Sequence, residues 1–222
     1  MSKFLNETKA NCEINACGLT LNVGRQRLTE TQFQALLQMA REKQVLKQQI
    51  DMVNGAVVNI SENRQALHTS LRSSNSASPH FEEVNTTKDR MYSLANAVRG
   101  GLWLGATGQK ITDVINIGIG GSEMGPHAVY HALREINPSI KLHFLSSVDG
   151  ILADRILGVL NPESTLSIIS SKSFSTRETM LNAELLNGWY ERVGITSREQ
   201  RAKHIFVAVS YTHLRAHETG AY

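Results

Sequence analysis

Val114-Ile-Asn-Ile-Gly-Ile-Gly-Gly-Ser-Glu-Met-Gly-Pro126 opens as a β-branched apolar run, turns through Gly118, Gly120, Gly121 and Ser122, and leads into residues that read as a helix. A buried strand, a tight turn and a helix start in that order make a natural anion site. Glycines let the main chain approach an anion closely, and the first N–H groups of a helix have no internal partner. A second Ser/Thr-rich turn, Ser170-Ser-Lys-Ser-Phe-Ser-Thr-Arg-Glu178, follows another apolar run. Two such turns on one sheet point to a phosphorylated ligand.

Outward from this stretch the same texture repeats. Apolar runs at Val114–Ile117, Leu142–Leu145, Leu166–Ile169 and Ile205–Val209 alternate with helix-like segments near 125–136, 151–160 and 176–193. Strands separated by helices of this length imply right-handed βαβ crossovers and a parallel sheet covered on both faces, an α/β fold. In such sheets ligands sit beyond the carboxyl ends of the strands, where both turns fall. A preceding helix is expected over 81–104, where Val84, Met91, Leu94, Ala95 and Val98 recur at helical spacing and Gly100-Gly101 weakens the end.

The N-terminal third reads as a helical preface. Residues 1–28 show little periodicity and are expected to form an irregular arm. Thr29-Glu-Thr-Gln32 has the form of a capping box, followed by Phe33, Leu36, Leu37 and Ala40, then Val45, Leu46, Ile50 and Val53; this fits one kinked helix or two short ones ending at Gly55. Asn59–Arg72 reads as a turn feeding a helix capped by Ser61, and Ser73–Pro79 as an exposed loop.

Composition narrows the function classes. The net charge of +3 arises from interspersed charges, with no Lys/Arg block for nucleic acid. Cys12 and Cys17 lack companions that would complete a zinc site. No apolar run is long enough to cross a membrane, and the N-terminus lacks a signal-peptide core, so a soluble, cytoplasmic protein is expected. Gly-Ile-Gly-Gly-Ser-Glu places Glu123 where a dinucleotide fingerprint needs its third glycine, which demotes a nicotinamide-dependent oxidoreductase. A Gly-Lys-Ser/Thr P-loop is also missing.

In the second turn Ser171, Lys172, Ser173 and Thr176 offer hydroxyls and an ammonium around a phosphate, against the plainer alternative of an ordinary helix N-cap. Glu123, His127 and His131 fall at intervals of four on one helix face, but with no further ligand they read as helix-surface residues, and no metal is expected. Asp149-Gly150 reads as a turn.

Five ordered blocks, Val58–Arg72, Ile111–Pro126, Ser147–Gly150, Ile168–Ala183 and Lys203–Ser210, resemble the N-terminal part of the glucose-6-phosphate isomerase family, also called phosphoglucose isomerase. The resemblance implies a sugar-isomerase (SIS) fold, a five-stranded parallel sheet flanked by helices, which the whole enzyme pairs with a second similar domain. It implies that Ser171, Lys172, Ser173 and Thr176 hold the substrate phosphate and that Gly121 and Ser122 lie beside the sugar. The chain departs from the commonest pattern at Glu123 (for Asp), Ser147 (for Asn), Ser173 and Ser175 (for Thr) and Arg177 (for Gln); Ser in place of Thr keeps the hydroxyl.

The family interconverts glucose 6-phosphate and fructose 6-phosphate, in glycolysis and gluconeogenesis, without a cofactor. A His opens the ring, a Glu moves a proton through an enediol and an Arg stabilises the developing charge. The resemblance places all three beyond the matched region, so no catalytic residue is assigned here. An N-terminal fragment incomplete relative to the family is expected, inactive alone, with homodimerisation a property of the full-length enzyme. The expected domains are 1–80, an arm and helices; 81–210, the first sugar-isomerase domain; and 211–222, where the resemblance stops, a foreign tail. Sheet-covering elements missing from such a fragment would leave apolar surface exposed. The alternative function is a non-catalytic phosphosugar-binding sensor of the same fold.

Overall fold

The computed structural model describes residues 13–22, 26, 29–133, 138–172 and 174–209. Two compact units divide between Phe81 and Glu82. In the first, β1 (Glu13–Ala16) and β2 (Leu19–Asn22) form an antiparallel hairpin with Ala16 opposite Leu19. Over Glu13–Asn22 this replaces the irregular arm expected for 1–28; residues 1–12, 23–25 and 27–28 lie outside the described residues. Cys17 and Gly18, with φ of 52° and 75°, make a two-residue turn with both φ positive, whose twist suits a hairpin.

Two helices follow, α1 (Glu30–Glu42) and α2 (Val45–Val53). Thr29 forms the expected capping box with Gln32. The break between the helices is Gln44 in the left-handed region at φ 53°, and Gly55 at φ 84° lies just past the second.

The helix expected after Ser61 does not form. Asn59 pairs with Arg64 in an isolated bridge, the Asn59 amide donates to Glu62, and the Ser61 hydroxyl donates to Asn59 Oδ1. These local bonds compete with helical ones, and Asn63 at φ 50° breaks the run, leaving only a 3₁₀ turn at Ser70–Arg72.

The second unit is the sheet. After α3 (Phe81–Arg99) come β3 (Asp113–Ile117), α4 (Gly121–Leu133), β4 (Lys141–Leu145), α5 (Gly150–Leu157), β5 (Thr165–Ser171), α6 (Arg177–Glu191), α7 (Arg198–Arg201) and β6 (Ile205–Val209). The short α7, capped by Ser197, was not expected. The described strands form a parallel sheet of four, ordered β4-β3-β5-β6, against the five that the resemblance implied.

Alternation along β3 sets both faces. Ile115 and Ile117, both 0% exposed, join Leu145, Ile169, Leu186, Trp189 and Tyr190 in a core with α5 and α6. Burial of each such Ile contributes about 1.5–3 kcal/mol. Val114 faces the other way, packing with Leu166 and with Val98 of α3. The ring of Phe144 on β4 meets His127 and Tyr130 of α4. Large apolar residues stay exposed on the flanking helices, among them Val129, Leu133, Ile151, Leu181 and Leu185.

Candidate functional site

The strand order creates a switch point. From β3 the chain crosses to β4 on one side, then returns past β3 to β5 on the other, so the connections leave the carboxyl ends of β3 and β5 in opposite directions. A crevice opens where neighbouring strands diverge in this way. Ile117 pairs with Ile169, so Gly118 and Ser170 come next on the two strands and both sequence-predicted turns begin at this crevice.

Contact between the turns is close. A Cβ at Gly118 would lie 2.8 Å from Ser122 Cβ and 3.0 Å from the main-chain oxygens of both Ser122 and Ser170. Glycine is therefore required here by space rather than by φ. Gly120 does need its freedom, with φ of 59°, and it turns the chain into α4. Gly121, the first residue of α4, is exposed, and nothing lies within 4 Å of where its Cβ would be. Ser122 follows, half-buried.

An amide inside the sheet ties the turns together. Asn116, 6% exposed, donates through Nδ2 to Ser122 O at 3.2 Å and accepts at Oδ1 from the Ser170 hydroxyl at 3.2 Å. The loop after β4 is held similarly: buried Asn182 of α6 donates to Ser147 O at 3.1 Å. Asp149 proves to be the N-cap of α5, accepting from Ile151 N–H at 2.9 Å, which gives the expected Asp-Gly turn a helix-starting role. Asn116 and Asn182 were not singled out from the sequence. For Asn116 the available signal was an amide within an apolar strand, since a buried amide must find partners.

The second turn spreads its hydroxyls differently. Ser171 is buried at the end of β5, where its Oγ accepts from Phe174 N–H at 3.0 Å. The Oγ retains its own proton to donate. Phe174 sits in the left-handed region at φ 54° and packs against the core, fixing the bend. Lys172 is exposed. Thr176 occupies the N-cap of α6 without using its hydroxyl as a cap, so the plainer N-cap reading does not account for its side chain. Arg177, the first residue of α6, is exposed. Ser173 lies outside the described residues, as does the segment 211–222 read as a foreign tail.

Glu123, His127 and His131 do lie on α4, but no cluster among the described residues could hold a metal ion. The His127 ring instead stacks near His131 and Phe144, with centroids 4.3 and 4.7 Å away.

The opposite end of the strands carries a buried polar network. His204 donates from Nδ1 to Thr165 O at 2.7 Å and accepts at Nε2 from Ala106 N–H at 2.8 Å. The Tyr190 hydroxyl donates to the same carbonyl and bonds Ser167 Oγ at 2.8 Å. Burial lowers the His204 pKa and raises that of Tyr190. With every proton engaged at the strands' amino ends, this network braces the sheet away from the crevice.

A family model described as phosphoglucose isomerase matches residues 22–221. The match continues past Ser210, where the resemblance was expected to stop. The chain is 45% identical over 194 residues to a glucose-6-phosphate isomerase of Paraburkholderia phymatum and 44% identical to one of Paraburkholderia xenovorans, covering 87% of this chain and 36% of each relative. The crystal structure of a glucose-6-phosphate isomerase from Chlamydia trachomatis superposes with a TM-score of 0.72 at 25% identity, over 94% of this chain and 40% of that one. The chain thus spans about a third of the length of the curated relatives it matches.

Proposed function

The chain belongs to the phosphoglucose isomerase family, and from that premise we propose that it supplies the phosphosugar-binding face of an enzyme interconverting glucose 6-phosphate and fructose 6-phosphate. The observation that carries the reading is the meeting of two hydroxyl-bearing turns at the β3/β5 switch point, with Gly118 pressed against Ser170 O. One turn suits a phosphate and the other the sugar attached to it.

In this reading the phosphate rests in the Ser171–Thr176 loop. The Lys172 ammonium neutralises charge, and the hydroxyls of Ser171, Ser173 and Thr176 donate to phosphate oxygens. The dipole of α6 points its positive end at the same place. Gly121 and Ser122 receive the sugar, whose hydroxyls reach the start of α4 because no side chain stands at Gly121. The proton transfers of the isomerisation fall to groups that the family resemblance puts outside these blocks. Residues 81–210 would then be the first sugar-isomerase domain of a cytoplasmic, homodimeric enzyme of glycolysis and gluconeogenesis that needs no cofactor.

Calorimetric titration of the 222-residue chain with glucose 6-phosphate tests the reading, with glucose and inorganic phosphate in parallel. Saturable binding of glucose 6-phosphate, tighter than either part alone, is expected. No saturable binding of glucose 6-phosphate, or equal affinity for phosphate alone, would remove the reading's basis.

A further inference from the structure

We propose that Asn116 is a positioning residue that locks the sugar-side turn to the phosphate-side strand, so that the two bind one ligand as a unit. The inference rests on the phosphosugar reading above and adds to it a residue that touches no ligand.

Asn116 sits one residue before the end of β3, on the central side of the switch point. Its partners lie on different segments: Ser122 O in the first turn of α4 and the Ser170 hydroxyl on β5, 54 positions away in sequence. A main-chain carbonyl can only accept, so Ser122 O must face the amide NH₂, and this leaves Oδ1 toward Ser170. The amide is thereby held in one orientation by two partners on different segments. An apolar residue would fill the same space on this face, where Asn116 lies between Phe144 of β4 and Ile168 of β5 in register. The polar choice carries a desolvation cost that is offset only by these two bonds. What the bonds secure is the spacing between Ser122 and the strand that leads into Ser171 and Lys172. That spacing must match the distance between a sugar ring and its own phosphate, and preorganising it saves the ligand the cost of ordering two turns separately.

The experiment compares the wild-type chain with Asn116→Ala, Ser170→Ala and the double variant, titrating each with glucose 6-phosphate and with inorganic phosphate. Circular dichroism and urea unfolding identify the variants that retain the fold. Ser170→Ala removes one hydroxyl and leaves the amide packed, so it tests the bridge even where Asn116→Ala unfolds. Expected is a loss of about five- to tenfold in glucose 6-phosphate affinity in each single variant, the size of one lost hydrogen bond, with inorganic phosphate affinity held within about twofold. The double variant should bind no more weakly than the weaker single one, because both substitutions cut one bridge. Affinities for the two ligands falling in parallel, or losses that add in the double variant, would overturn the positioning role and leave the phosphosugar reading standing. A wild-type chain that binds neither ligand would overturn both.

Discussion

Replacing Gly118 by alanine puts a methyl group where two turns already touch. The new Cβ would lie 2.8 Å from Ser122 Cβ and 3.0 Å from Ser122 O and Ser170 O. Two of those three neighbours are main-chain oxygens and cannot rotate away, so either α4 or the end of β5 must move. Overpacking of this kind costs about 1–3 kcal/mol. For a chain of this size each kcal/mol lowers the melting temperature by about 2–4 °C, so a fall of about 2–12 °C is expected. Both tryptophans, Trp103 and Trp189, belong to the sheet unit, and their fluorescence during urea or thermal unfolding reports its stability. The same shift should weaken glucose 6-phosphate binding, because Ser122 and the strand leading to Ser171 are what the methyl pushes apart. Gly121→Ala is the matched control: nothing stands within 4 Å of its Cβ, and alanine is a better helix former by up to about 1 kcal/mol. It should leave stability unchanged or slightly raised while hindering the ligand at the start of α4. A Gly118→Ala chain as stable as wild type, or a Gly121→Ala chain equally destabilised, would refute the steric reasoning.

Three further outcomes are expected. The folded chain depresses the pKa of His204 below 6.5 by burial, so the unfolded chain takes up that proton first as pH falls. Stability should be level above that value and decline as pH drops below it, a slope that urea midpoints would trace and that His204→Gln should flatten. Tyr190→Phe leaves Ser167 Oγ and Thr165 O without their phenol partner; unfolding should become easier by about 1–3 kcal/mol, with glucose 6-phosphate affinity unchanged because the network lies at the amino ends of the strands, away from the crevice. Lys172→Ala should weaken glucose 6-phosphate binding about tenfold and reduce its salt dependence, both readable by calorimetry at two ionic strengths.

How much of this was legible in the sequence follows from the range of each interaction. The four strands announced themselves because largely apolar runs such as Val114–Ile117 and Leu166–Ile169 are bounded by Gly and Ser turns, and a parallel sheet covered on both faces needs near-continuous apolar runs. The capping box at Thr29 was equally local and formed as written. The hairpin at Glu13–Asn22 escaped because Cys17-Gly18 is an uncommon turn pair and its strands bury nothing. Ser61 misled because the residues after it close a local turn, with Asn59 bridged to Arg64 and Asn63 left-handed, so no helix N–H is presented for its hydroxyl to cap. Within the candidate site, glycines and hydroxyls could be read as ligand-facing types. The Asn116 bridge could not, since its meaning depends on Ser170 arriving beside it through the sheet's strand order. Ser171 shows the same limit from the other side: its hydroxyl type was visible, but its use in bending the loop at Phe174 depends on that residue's left-handed conformation.

The most direct measurement of the central claim is amide chemical-shift mapping of the isotope-labelled chain titrated with glucose 6-phosphate. Two turns acting as one site predict that the N–H signals of Gly118–Ser122 and those of Ser171–Thr176 shift together along a single binding isotherm, while the signals around Thr165 and His204 stay in place. Shifts confined to one turn, or two turns titrating with different midpoints, would contradict a single phosphosugar site at the β3/β5 switch point.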